Sequence, residues 1–133
     1  MKMTKASEIM STNLTVIDQN CSVKEAIDTL LEKNISGLPV TDDFGHLVGI
    51  VTEFALLAIA YDHKVTNDTI AEHMTTNVLS VEADEPVNKV ADLCIVHRVR
   101  RVPVMDNGKL VGMISRRDVL KAIYQESSAA LAS

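Results

Sequence analysis

The chain has 133 residues, enough for one compact domain or two small fused units. It is 47% hydrophobic and 23% charged, a globular balance, and with no Trp, two Phe and two Tyr its core must be built from Val, Ile, Leu, Ala and Met. A net charge of -5 argues against general nucleic-acid binding, and the longest apolar region, residues 47–61, is interrupted by Thr52 and Glu53 and too short to cross a bilayer. Residues 1–10 lack the apolar core of a secretory signal, so the expected compartment is the cytoplasm, with no membrane insertion.

In chain order, residues 6–10 read as a short turn ending in Met10, followed by an extended piece over 14–17. A helix follows. Ser22 caps it, Glu25 completes a capping box, and Val23, Ala26, Ile27, Leu30 and Leu31 form one apolar stripe. Next come a short strand over 38–40, a turn through Asp42, Asp43, Phe44 and Gly45, a second strand over 47–51 and a second helix over 54–60. A polar connector, residues 61–69, leads to the same series again: a turn ending in Met74, an extended piece over 78–81, and a helix with Pro86 at its first position. Val87, Val90, Ala91, Cys94 and Ile95 line that helix. A strand over 102–105, a tight Asp106-Asn107-Gly108 turn, a strand over 110–114 and a helix over 116–124 complete the copy. Residues 125–133 are small and polar and read as a frayed tail.

The duplication is visible residue by residue. At a shift of 64 positions Glu8, Met10, Thr12, Asn13, Val23, Asp28, Pro39 and Val40 match Glu72, Met74, Thr76, Asn77, Val87, Asp92, Pro103 and Val104. At a shift of 63, Gly45, Leu47, Val48, Gly49, Leu57 and Tyr61 match Gly108, Leu110, Val111, Gly112, Leu120 and Tyr124. The expected fold is therefore mixed α+β: two β-α-β-β-α repeats over 6–61 and 70–124, a linker over 62–69 and a tail over 125–133. One repeat buries too little surface to be comfortable alone, so the two are expected to pack sheet to sheet about a pseudo-twofold, which creates two clefts.

The stretch Gly112-Met113-Ile114-Ser115-Arg116-Arg117-Asp118 carries most of the chemistry. It reads as a strand turning into a helix, with two competing interpretations. In one, Ser115 caps the helix and Asp118 reaches back to its start, a purely structural capping box. In the other, the helix N-terminus and the Ser115 hydroxyl meet an anion, Asp118 grips a diol, and Arg116 or Arg117 neutralises phosphate.

Two tandem units of this length, with Leu38-Pro39-Val40 and Val102-Pro103-Val104 strands and a Gly-hydrophobic-hydrophobic-Thr/Ser-x-x-Asp turn, resemble a cystathionine-β-synthase (CBS) domain pair, or Bateman module, here expected as a stand-alone protein. The resemblance covers roughly residues 6–124. It implies a non-enzymatic regulatory module that binds AMP, ADP, ATP or sometimes S-adenosylmethionine between the repeats and signals occupancy to an unidentified regulated protein. Carried over residue by residue, it implies a complete site, here called site B. Gly112, Met113, Ile114, Ser115, Arg117 and Asp118 form one wall, and Thr15, Ile35 and Ser36 the other. The mirror site A, with Thr52 and Phe54 facing Leu79, Val99, Arg100 and Arg101, is degenerate: Ala55 stands where Asp118 stands, and Glu53 replaces Arg116.

The remaining residues suggest little chemistry. The run His97-Arg98-Val99-Arg100-Arg101 lacks interleaved aromatics, and phosphate neutralisation by Arg100 or Arg101 suits it better than nucleic acid, with Arg98 solvated. His46, His63, His73 and His97 show no ligand spacing, Cys21 and Cys94 no metal pattern, and no Ser-His-Asp or Cys-His set suggests a nucleophile. No cofactor or metal is expected. The helix over 54–60 is apolar on nearly every side and predicts a homodimer through the second helices of the repeats. A dimeric scaffold without nucleotide binding, or a sensor of S-adenosylmethionine, are the alternative readings.

Overall fold

The structure, a computed structural model, describes residues 3–62 and 67–132, with side chains up to residue 128. His63 and the middle of the polar connector lie outside the described residues. The elements run α1 (Ala6–Ile9), β1 (Ile17–Asp18), α2 (Val23–Lys33), β2 (Gly37–Thr41), β3 (Leu47–Thr52), α3 (Glu53–Asp62), a 3₁₀ turn (Ile70–Glu72), β4 (Val81–Glu82), α4 (Val87–His97), β5 (Arg101–Asp106), β6 (Lys109–Ser115) and α5 (Arg116–Ala132). The fold is mixed α+β, two repeats each with a small sheet and helices, as the duplicated pattern predicts.

Each repeat has a three-stranded sheet in sequence order, parallel between its first two strands and antiparallel between the last two. The helix between the parallel strands supplies the crossover that such a pair requires. Local chemistry explains the ends of these elements. Ser22 Oγ accepts from the Glu25 amide at 3.1 Å and starts α2, and Asn34, at φ 54°, ends it in the left-handed conformation Asn tolerates. Pro86 stands at the N-cap of α4, one position earlier than expected, where it fixes the entry angle and lacks no needed donor. Asn107 and Gly108, at φ 52° and 81°, make the two-residue turn joining β5 to β6.

By contact the chain divides into two compact units that are out of step with the sequence repeats. One is Thr15–Val78; the other joins Leu79 onward to the segment ending at Leu14. The opening segment of each repeat thus packs on the sheet of the other. In the unit that contains α4 and α5, Val87 N–H donates to Thr4 C=O at 2.8 Å, Ala6 N–H to Glu85 C=O at 2.8 Å, and Ser11 and Met113 exchange bonds of 2.8 and 3.0 Å. Ala6 is fully buried with Val81, Val87, Val90, Val102, Val104 and Ile114. In the unit that contains α2 and α3 the mirror contacts recur: Val23 N–H to Asp68 C=O at 2.8 Å, and two 2.9 Å bonds between Ile50 and Thr75. Ile70 takes the place of Ala6 in that core.

The C-terminal stretch departs from expectation. α5 runs on through Ala132 rather than ending at Tyr124. No Gly or Pro interrupts residues 125–132, and Ala has the best helix propensity, so nothing stops the helix where the apolar stripe ends.

Candidate functional site

Both candidate turns are strands that run into helices with no loop between. β6 ends at Ser115 and α5 begins at Arg116; β3 ends at Thr52 and α3 begins at Glu53. The hydroxyls act as caps: Ser115 Oγ accepts from Asp118 N–H at 3.1 Å, and Thr52 Oγ1 from Ala55 N–H at 3.2 Å. The first helical amides are also taken, Arg116 N–H by Arg100 C=O at 2.7 Å and Glu53 N–H by Ser36 C=O at 2.9 Å. Two of the first three amides of α5 are therefore occupied. The helix end alone offers an anion little, and side chains must do most of the binding.

The two interpretations of the Ser115 turn separate here. A full capping box needs the Asp118 carboxylate to accept from the Ser115 amide. Only the forward half forms; among the described residues the exposed Asp118 carboxylate has no hydrogen bond or ion pair. An exposed carboxylate left uncommitted beside a capped turn is free to accept two hydroxyls.

The register of the sheet adds charge at the same place. β5 and β6 pair Asp106 with Lys109 and Met105 with Leu110, but a bulge between Val104 and Met105 shifts the ladder, so Arg101 lies opposite Ser115. Without the bulge Arg101 would face Ile114 and every side chain would change sides. Arg100 and Arg101 thus belong beside the Ser115 turn within their own unit. The expectation placed them on the Thr52 side by pairing them across the repeats; instead β5 pairs with β6 of its own repeat and Arg116 N–H donates to Arg100 C=O, so both arginines flank the turn of their own unit. Arg116 also acts on the core side: burial pushes the Cys94 thiol up, and the nearby Arg116 charge partly counters this. The cations positioned for a ligand at this turn are Arg100, Arg101 and Arg117, all exposed.

In the other unit Gly37 lies opposite Thr52, so Ile35 and Ser36 sit beside the Thr52 turn, where Glu53 is the charged residue and Ala55 offers no acceptor. Several expected site residues have other roles. Ile114 is fully buried in the core, so its side chain cannot touch a ligand. Val99 packs on the core of its own unit. Ile35 and Phe54 line an apolar groove of about 490 Å³ between α2 and α3, together with Ile27, Leu31, Leu57 and Ala60. Thr15 and Leu79 are half-buried just before β1 and β4.

Neither cysteine has the character of a nucleophile. Burial raises the pKa of both thiols above the ordinary value, with Glu25 adding to the effect at Cys21. Among the described residues no cluster of three or more His, Cys, Asp or Glu is arranged to hold a metal, and no helix is long and apolar enough to cross a membrane.

Duplicated three-stranded sheets, each with a capped strand-to-helix turn, define a tandem α+β repeat module, and comparison with known proteins agrees. The CBS domain profile matches residues 6–62 and 70–125, and the chain belongs to that family. It is similar to a crystal structure of CBSX2 in complex with AMP, with 32% identity, TM-score 0.81 and coverage of 92% of this chain and 98% of that one. CBSX2 is a protein of Arabidopsis thaliana. It is also similar to the CBS domain pair of MJ0100 in complex with 5'-methylthioadenosine and S-adenosyl-L-methionine, with 32% identity, TM-score 0.80 and coverage of 94% and 99%. A sequence relative, the uncharacterized protein MJ1225 of Methanocaldococcus jannaschii, is 32% identical over 116 residues, which are 87% of this chain and 41% of that protein.

Proposed function

We propose that this chain is a non-enzymatic sensor that binds an adenine nucleotide, AMP, ADP or ATP, at the Ser115–Asp118 turn and relays occupancy to a regulated protein. The observation that carries the reading is the uncommitted Asp118 carboxylate beside Ser115, with Arg101 opposite it and Arg117 on the next turn of chain. A carboxylate suits the two ribose hydroxyls, and guanidinium groups suit phosphate. Ser36, expected at this turn, belongs instead to the Thr52 turn, where its carbonyl accepts from Glu53 N–H. The Thr52 turn, with Ala55 and Glu53, is the weaker site. CBSX2 with AMP and the MJ0100 pair with S-adenosyl-L-methionine support an adenosine-containing ligand. The arginines favour a nucleotide over S-adenosylmethionine, whose sulfonium cation they would repel.

The test is a thermal-shift and calorimetry panel with AMP, ADP, ATP, S-adenosylmethionine and GTP. A nucleotide at a hundred times its dissociation constant stabilises by about 2.7 kcal/mol. No shift with any adenosine-containing compound would leave the scaffold reading in its place.

The proposal includes a cytoplasmic homodimer. Leu57 and Tyr61 on α3 and Leu120 and Tyr124 on α5 are exposed at related positions of the two repeats, and Phe54 is exposed beside the first pair. Leu56, by contrast, is 3% exposed and belongs to the core, so it is Leu57, 66% exposed, that reports on the interface.

A further inference from the structure

We propose that Met10 is a positioning residue for the Ser115–Asp118 turn. It latches the N-terminal segment over Gly112, so that docking of this segment and ligand binding reinforce one another. The proposal rests on the nucleotide reading of that turn. β6 is an edge strand, paired on one side with β5 alone. Its other side is covered by the N-terminal segment, through the paired Ser11–Met113 bonds of 2.8 and 3.0 Å. Next to this bridge Gly112 is buried and has no side chain, and the Met10 thioether occupies the space where one would be. A Cβ built on Gly112 would lie 2.7 Å from Met10 Cγ and 2.9 Å from Met10 Cβ. An unbranched, polarisable side chain is well suited to fill so narrow a gap.

The position of this latch gives it a consequence beyond packing. Gly112 and Met113 lead directly into Ser115, so the strand that presents the cap is held between β5 and the N-terminal segment. If that segment lifts, β6 becomes a free edge and the turn loses one of its two supports. The segment continues from Ser11 to Leu14, where this unit's share of the N-terminal chain ends. The same device appears on the other sheet, where a Cβ on Gly49 would lie 2.6 Å from Met74 Sδ and 2.9 Å from Thr75 C=O. Its presence in both copies of the duplicated repeat makes it a feature of the repeat rather than of one sheet. A ligand that needs the turn fixed must favour the docked segment, and by linkage the docked segment must favour the ligand by the same factor.

The experiment uses the full chain and AMP. Met10→Ala is expected to weaken AMP binding by on the order of tenfold, within the usual range for coupled sites, and Met10→Leu to recover most of it. Met74→Ala removes the equivalent latch from the other sheet. It should lower thermal stability comparably while leaving AMP affinity within about twofold, well inside that coupling range. In the parent, saturating AMP should slow hydrogen exchange of the Ser11 and Val87 amides, both held by the segment. This readout needs no variant to fold. Parent-like affinity in Met10→Ala, equal weakening in Met10→Ala and Met74→Ala, or AMP-independent exchange at Ser11 and Val87 would each overturn the proposal. If AMP binds the parent and Asp118→Ala binds it poorly, such a result removes the latch and leaves the site. If Asp118→Ala binds as the parent does, the site falls and the latch falls with it.

Discussion

Removing the Asp118 carboxylate separates binding from stability unusually cleanly. The cap of α5 is Ser115 Oγ accepting from the Asp118 backbone amide, a bond that Asp118→Ala retains. The carboxylate itself makes no hydrogen bond or ion pair among the described residues. Its remaining contribution to stability is its charge near the helix N-terminus, about 0.3–1 kcal/mol. Its contribution to a bound nucleotide is larger, because a hydrogen bond to a charged group is worth about 1.5–3 kcal/mol. Asp118→Ala should therefore raise the AMP dissociation constant by roughly ten- to a hundredfold, with a melting temperature only a few degrees lower, since 1 kcal/mol corresponds to about 2–8 °C for domains of this order. Ser115→Ala should do the reverse in part, losing about 1 kcal/mol of capping as well as affinity. Calorimetry and thermal denaturation on the same samples give both numbers. An Asp118→Ala variant that binds AMP like the parent would refute the assignment of the turn as a ligand site.

Three further outcomes are expected. Adenosine should bind clearly more weakly than AMP, with about one tight site per chain, because one turn has both the acceptor and the arginines; equal affinities by calorimetry would remove the phosphate role. Leu57→Glu should shift the protein from dimer to monomer in sedimentation while keeping its helical circular dichroism, whereas Leu56→Glu should unfold it, because Leu56 is core. Asp42 tests the hairpin between β2 and β3. Slight burial raises its pKa, but hydrogen bonds from the His46 and Phe44 amides outweigh this and hold it below the ordinary 3.8. Its stabilisation is then fully present above that ordinary value and is lost as pH falls through the lower folded value. Asp42→Ala should lower the melting temperature at neutral pH, and the gap to the parent should close as acid protonates Asp42; a constant gap down to low pH would contradict the assignment.

Features whose causes are local were legible in the sequence. The Ser22 and Ser115 caps, the Asn107-Gly108 turn and the apolar stripes of α2 and α4, apart from the exposed Leu31 and Ile95, depend on residues within a few positions of one another, and the duplication repeated the same signals twice. The uninterrupted helix through Ala132 was less legible, because a small polar composition looks like a tail although its propensity is helical. Tertiary structure decided the rest. The bulge that sets Arg101 opposite Ser115 arises from pairing across the whole hairpin, and a one-residue shift there reverses which face carries the charge. α3 is apolar on so many sides that composition could not say which Leu faces inward; packing chose Leu56. The docking of Met10 on Gly112 joins residues about a hundred positions apart. No local propensity encodes such a contact; it exists because an edge strand left unpaired must find a partner, and in this fold the opening segment of the chain reaches it.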